Sequence, residues 1–246
     1  MYKIFDSHIH FNMKAESPSI DFKEQVKGLE GFILILNNEK EKVLFEKSFL
    51  DTFTQLFPLS AIAINYELAN NQFLEKITNL NIKLGIKLHP RLSNITLDKF
   101  ESIASIIENI KFNFIIIDCF YYGSNLETHT NLELSIFIAK YFKETKIILA
   151  HGGGHKVLEY MLYTRDMKNI YYDFSFTVVY LKDSSAWIDI IKFFRFNENR
   201  ILFGTDYPEC NIEHIKSCYE EIILEALDKD SSKLIYELNY REVLEI

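Results

Sequence analysis

Short runs rich in Ile, Leu, Val and Phe alternate along the whole chain with longer stretches whose apolar residues fall three and four apart. This alternation restricts the fold more than any other feature. The runs occupy residues 2–10 (YKIFDSHIH), 31–37 (GFILILN), 57–64 (FPLSAIAI), 82–90 (IKLGIKLHP), 112–120 (FNFIIIDCF), 145–154 (TKIILAHGGG), 169–176 (NIYYDFSF) and 200–208 (RILFGTDYP). They read as strands, because β-branched and aromatic side chains suit a pleated, buried surface. Intervening segments such as NEKEKVLFEKSFLDTF, TLDKFESIASIIENI and AWIDIIKFFRF set apolar residues beside charged ones at helical spacing, which makes them amphipathic helices.

Continuous apolar strands separated by helices specify a parallel sheet covered by helices. An open doubly wound sheet shows the same alternation, but eight units in 246 residues favour a closed (β/α)8 TIM barrel. No Pro/Gly/Ser-rich linker interrupts the pattern, so residues 1–246 read as one domain. The last stretch, SSKLIYELNYREVLEI, is expected to be a terminal helix packed on the barrel.

Composition narrows the function classes. The formal charge is −8 with Lys and Arg scattered, whereas binding phosphate backbones needs a basic patch. A small molecule is therefore the expected partner, and nucleic acid is not. No apolar stretch approaches the roughly 20 residues of a membrane helix. The first ten residues hold two histidines and an aspartate rather than a basic start and a long apolar segment, so no secretory signal is expected and the cytoplasm is the expected location. Cys119, Cys210 and Cys218 are odd in number without CxxC spacing, which points to reduced thiols. The 14 Tyr and 21 Phe are expected to fill the core; the oligomeric state stays open.

In a parallel α/β barrel the active site lies at the C-terminal strand ends. Polar residues gather there: His8 and His10 end the first run, Lys87 and His89 the fourth, Asp118 the fifth, His151 the sixth, Asp173 and Ser175 the seventh, Asp206 the eighth. Residues two apart on a strand share a face, so His8 points with His10 and Lys87 with His89. Two neutral imidazoles facing a carboxylate are a site for zinc or a similar divalent ion. Each residue also has a structural alternative: Asp118 and Asp206 as caps, His151 as a histidine bonded to a carbonyl, Lys87 and His89 as layer or rim residues, and His155 as a solvated side chain rather than a substrate contact. Gly152, Gly153 and Gly154 either let substrate or an anion approach the backbone or simply turn the chain tightly.

DSHIH at the first strand, GIKLHP at the fourth, AHGGG at the sixth, DFS at the seventh, LFGTDYP at the eighth and the closing ELNYREVLEI resemble the amidohydrolase superfamily across the whole chain. The resemblance is to its amidohydrolase-related branch, which includes the aminocarboxymuconate-semialdehyde decarboxylase type. It implies a TIM-type barrel with one divalent metal, usually zinc, held by the HxH pair, a fifth-strand histidine and the eighth-strand aspartate. His8, His10 and Asp206 match metal positions, and His151 matches the sixth-strand histidine that binds metal or acts as acid/base. The fifth strand departs from the pattern: FIIIDC puts Asp118 where relatives carry histidine, and a harder carboxylate ligand shifts preference toward manganese or iron. The implied activity is hydrolysis of a small amide, lactone or ester-like bond through a metal-activated water. Asp206 and His151 are its expected proton carriers, and Lys87, His89 and His155 the groups that orient an anionic substrate. Nonoxidative decarboxylation on the same fold and a catalytically silent metal-binding barrel are the rival readings.

Overall fold

The computed structural model describes residues 2–69, 71–228 and 231–246. Eight strands, β1 (Phe5–Ile9), β2 (Gly31–Leu36), β3 (Ala61–Asn65), β4 (Lys83–Leu88), β5 (Phe114–Asp118), β6 (Lys146–Ala150), β7 (Ile170–Asp173) and β8 (Ile201–Leu202), form one sheet in sequence order. Every neighbouring pair is parallel. A doubly wound sheet would reverse its strand order partway, and this one does not.

The seam between the last strand and the first closes by single hydrogen bonds, because β8 has only two residues in regular pairing. Ser7 N donates to Phe203 O at 2.8 Å, Asp206 N to His8 O at 2.7 Å and His10 N to Tyr207 O at 2.8 Å. The chain after β8 is thereby stitched to β1 along the length that carries the histidines.

Two apolar populations hold the barrel. Outside the sheet, phenylalanines 11, 22, 32, 49, 53 and 57 interlock, with Phe22 meeting Phe32 edge-on at 5.3 Å and Phe49 at 5.5 Å between ring centres. Burial of each such side chain stabilises the fold by about 1.5–3 kcal/mol. Inside the barrel lie Phe5, Ile33, Ala61, Phe114, Ile148, Tyr171 and Leu202 with their same-face neighbours. The tyrosines and phenylalanines are thus largely core, as composition suggested.

The terminal segment is helical over Ser231–Lys233, Leu234–Leu238 and Asn239–Leu244. It plugs the N-terminal end of the barrel: Tyr240, Val243 and Leu244 join the interior cluster, Tyr240 stacks on Phe5 at 4.6 Å, and its hydroxyl donates to Leu59 O at 3.2 Å. Among the described residues no helix is long and apolar enough to cross a membrane.

One irregularity decides where the first-strand histidines point. Phe5 pairs with Gly31 and Asp6 with Phe32, but Ile9 pairs with Leu34, so β1 carries one extra residue between Asp6 and Ile9. Strict alternation from the interior Phe5 would send Ser7 and Ile9 inward. The bulge inverts that parity, so Ile9 faces the outer cluster and His8 and His10 face the barrel. Asp6, fully buried, ties the bulge down: Oδ1 accepts His8 N at 2.9 Å and Thr205 N at 3.0 Å, and Oδ2 accepts the Thr205 hydroxyl at 2.6 Å. Burial pushes the Asp6 carboxyl up to about 7 against these donors.

Candidate active site

The interior face changes character toward the C-terminal strand ends, where side chains from five strands meet at the floor of one cavity of about 1110 Å³ and a sixth strand supplies a buried aspartate behind them. His8 and His10 come from β1, Lys87 and His89 from β4 and just beyond, Asp118 from β5, His151 from the residue after β6, Asp173 from β7 and Asp206 from beyond β8.

His8 is 1% exposed. Its Nδ1 faces Asp173 Oδ2 at 3.2 Å, so that nitrogen carries the hydrogen and Nε2 presents a lone pair. Burial, reinforced by Lys87, lowers the His8 pKa to about 4 against the pull of Asp173 and Asp206. His10 is arranged alike, with Nδ1 3.1 Å from the Ile35 carbonyl. Both Nε2 atoms turn to Asp206, whose Oδ1 lies 3.3 Å from His8 and 3.5 Å from His10. Burial opposes ionisation of Asp206, but His8, His10 and His151 outweigh it and hold the carboxyl well below its usual range.

This trio fits a divalent metal. Its ligand atoms lie within 4.8 Å of one another. The two measured separations match the roughly 3.4 Å edge of a tetrahedron built on bonds of about 2.1 Å. Both histidines have their tautomer set by a partner behind them, an arrangement that metal-binding imidazoles share. A second trio, His8, His151 and Asp173, is equally compact, yet its nitrogens already donate to Asp173 and Ser175, so it orients the rings.

Asp118 stands apart from both trios. Its Oδ2 accepts from His151 Nε2 at 3.1 Å and lies 3.4 Å from His89 Nε2 and 3.7 Å from Lys87 Nζ. Burial would raise its pKa, but His89, His151 and Lys87 keep it well below the usual carboxylate range. His151 in turn donates from Nδ1 to Ser175 O at 2.9 Å. With acceptors on both nitrogens it favours the imidazolium. Burial disfavours that charge, yet Asp118, Asp206 and Asp173 prevail and raise the pKa to about 9. His89 behaves oppositely: burial lowers it to about 4 despite Asp118. Lys87 also reaches His8 Nε2 at 3.3 Å, so its ammonium bridges the two halves of the floor.

The backbone is strained where it aims these groups. His151 (φ 66°) and Asp206 (φ 58°) are left-handed, a region open mainly to Gly, Asn, Asp and His. Phe176 sits at φ 60°, ψ −49° in a γ-turn closed by Thr177 N donating to Ser175 O at 2.6 Å. This positive-φ turn is rare. It leaves the same Ser175 carbonyl facing His151 and puts the Phe176 ring on the cavity wall. The glycines after His151 serve the turn: a Cβ on Gly153, at φ 89°, would come within 2.2 Å of the Tyr160 ring, and one on Gly152 within 2.4 Å of Phe174.

The family model for amidohydrolases matches residues 58–246. The chain belongs to the amidohydrolase family. That family is metal-dependent, and this amidohydrolase is an enzyme of that type. Among solved structures it is similar to an uncharacterized TIM-barrel protein from Bordetella bronchiseptica (18% identity, TM-score 0.71, 99% of this chain and 98% of that one). It is also similar to an amidohydrolase from Burkholderia multivorans with bound HEPES (13%, 0.66, 99% of each) and to L-hydantoinase (dihydropyrimidinase) from Arthrobacter aurescens (9%, 0.59, 100% and 71%). At such identities the likeness establishes the barrel alone. No functionally curated protein matches the chain.

The structure brings His8, His10, Lys87, His89, Asp118, His151 and Asp206 of this amidohydrolase to one cavity. His155 is elsewhere: it is exposed, packs edge-on against Tyr121 at 5.7 Å, and is not on the cavity wall. The left-handed turn at Gly152–Gly154 carries the chain away before it reaches His155. Sequence reasoning did not single out Arg91, Phe120, Phe176 and Tyr180, which line the cavity. Extending the two-residue alternation of Lys87 and His89 by one step would have reached Arg91.

Proposed function

We propose that this amidohydrolase hydrolyses a small amide, lactone or ester-like bond, with one divalent ion, most simply zinc, held by His8, His10 and Asp206. The observation that carries the reading is the convergence of two imidazole lone pairs and an ionised carboxylate opposite a charged histidine, with His8 and His151 ring centres 5.0 Å apart. A bound ion of this kind lowers the pKa of water from 15.7 toward ~7 and polarises a carbonyl. The protein's own groups supply the rest. Asp206, kept ionised, accepts the proton of the attacking water through the carboxylate oxygen left free. His151, charged and fixed between Asp118 and Ser175 O, sets its positive charge beside the oxygen that becomes negative, and Asp206 passes the proton it has taken to the leaving group. Asp118 in this reading anchors His151 rather than the metal, and Lys87 adds positive charge beside the reacting oxygen. The substrate is a small molecule, and the cytoplasm is the setting that suits three reduced, buried thiols.

The test is elemental analysis of the purified protein together with a panel of amides, lactones and esters. One equivalent of metal, with turnover that disappears in His8→Ala together with the metal, is expected. His151→Asn should retain the metal and lose turnover. Release of carbon dioxide from an acid, with no hydrolysis of any panel member, would replace this reading by decarboxylation.

A further inference from the structure

We infer that Arg91 is the anion subsite of the cavity and that the substrate carries a carboxylate on a flat apolar body; the inference rests on the hydrolase reading above and names its substrate class. Arg91 lines the cavity, and its Nε is buried without a hydrogen-bond partner. Among the described residues no carboxylate lies within 4.0 Å of its guanidinium. Of the other cations on the cavity lining, Lys87 and His151 are buried and already face Asp118, while Lys14 and Lys40 are exposed to solvent. A guanidinium stays charged at any working pH and presents a planar fork that matches a carboxylate. With no protein carboxylate to pair it, a guanidinium on the cavity lining is a position that a ligand's carboxylate completes.

The guanidinium is also held in place. It lies over the Tyr122 ring at 5.1 Å, in cation–π range. The following turn packs on its stem: a Cβ added to Gly123, at φ 93°, would sit 3.4 Å from Arg91 Cδ. Arg91 is therefore pre-organised rather than a solvated surface arginine.

The body of the substrate follows from the wall of Phe120, Phe176 and Tyr180. Phe120 meets Phe176 edge-on at 5.1 Å and Tyr180 at 5.5 Å, and Phe176 stacks on Tyr180 at 5.2 Å. Tyr180 is 62% exposed, so the wall is open to a ligand. It continues inward, since Phe120 is edge-on to His151 at 5.9 Å. A planar apolar group packs on such rings in offset or edge geometry. With its carboxylate on Arg91 and its body on this wall, the substrate directs its scissile bond toward His151 and Asp206.

Calorimetric titration of the purified protein with benzoate, benzamide and acetate tests this without requiring turnover. Benzoate is expected to bind about tenfold or more tightly than benzamide, and Arg91→Met should erase that margin while metal content and the thermal melt stay unchanged. Arg91→Lys should restore part of it. Benzoate should also exceed acetate, and Tyr180→Ala should shrink that second margin several-fold. Equal binding of benzoate and benzamide by the wild type, or a margin that survives Arg91→Met, overturns the anion subsite; a benzoate-over-acetate margin that survives Tyr180→Ala overturns the flat body. An Arg91-dependent margin in a protein that hydrolyses nothing in the panel supports the subsite and removes the hydrolase reading instead.

Discussion

The two ends of the barrel are built from the same strands and do opposite work. At the N-terminal end, Phe5 of β1 meets Tyr240, Val243 and Leu244 of the terminal helix in a dry apolar plug. Three residues further along the same strand, past the bulge, His8 faces Asp173, Lys87 and Asp206 in a cluster of buried charge. The plug end is held by apolar contact and buries no charge. The mouth aims its charged groups from left-handed His151 and Asp206 and the γ-turn at Phe176, conformations that cost about 1–3 kcal/mol each, and it buries carboxylates against histidines and Lys87. The difference indicates that stability is made at one end and spent at the other.

Substitutions can break that division. Asp206→Asn keeps the shape of the mouth but removes the carboxylate charge; turnover should fall about 10²–10⁴-fold, checked by steady-state kinetics, while the melting temperature holds or rises. A large fall in melting temperature would show that the mouth also carries the fold. Tyr240→Ala should do the reverse at the plug. Loss of a buried aromatic costs about 3–5 kcal/mol, at roughly 2–4 °C per kcal/mol for a chain of this size, and kcat per folded molecule should be retained.

Thr205→Val probes the hinge between the two ends. It deletes the hydroxyl that donates to Asp6 Oδ2, at about 1–3 kcal/mol for a buried acceptor left unpaired. Because Asp6 pins the bulge that turns His8 and His10 inward, metal affinity should fall with stability. A melt that drops while metal affinity stays constant would show that the bulge holds itself. The smallest effect expected is on the thiols. Burial pushes Cys119 up to about 12 and Cys210 up to about 11, and the thiolate is the reactive form. Ellman's reagent at pH 8 should therefore find no fast-reacting thiol in the native protein and all three after denaturation; a fast native thiol would reveal an opening in the wall between the ends.

Much of this was legible in the linear chain. Seven strands fall within the apolar runs and β3 overruns its run by one residue, Asn65, because hydrophobic periodicity is a local property that burial on both faces of a parallel sheet imposes directly. His8, His10, His151 and Asp206 were legible because strand ends in a parallel barrel converge. His155 was not legible as an outward residue, since its direction depends on three consecutive left-handed glycines. The partners of Asp118 were not legible either: its strand position is local, but the carboxylate turns to His151, His89 and Lys87, side chains brought from the ends of β4 and β6.

What the chain order by itself determined is the alternation of strand and helix, the apolar inner and outer layers, and the set of ionisable residues delivered to the strand ends, all consequences of spacing along one backbone. The tertiary structure alone decided that a one-residue bulge, pinned by Asp6 to Thr205 across the barrel seam, turns the two histidines inward. It alone placed Arg91 beside the cavity without an acidic partner. Both depend on hydrogen bonds and charges between residues distant in the chain, for which no local pattern of side chains carries a signal.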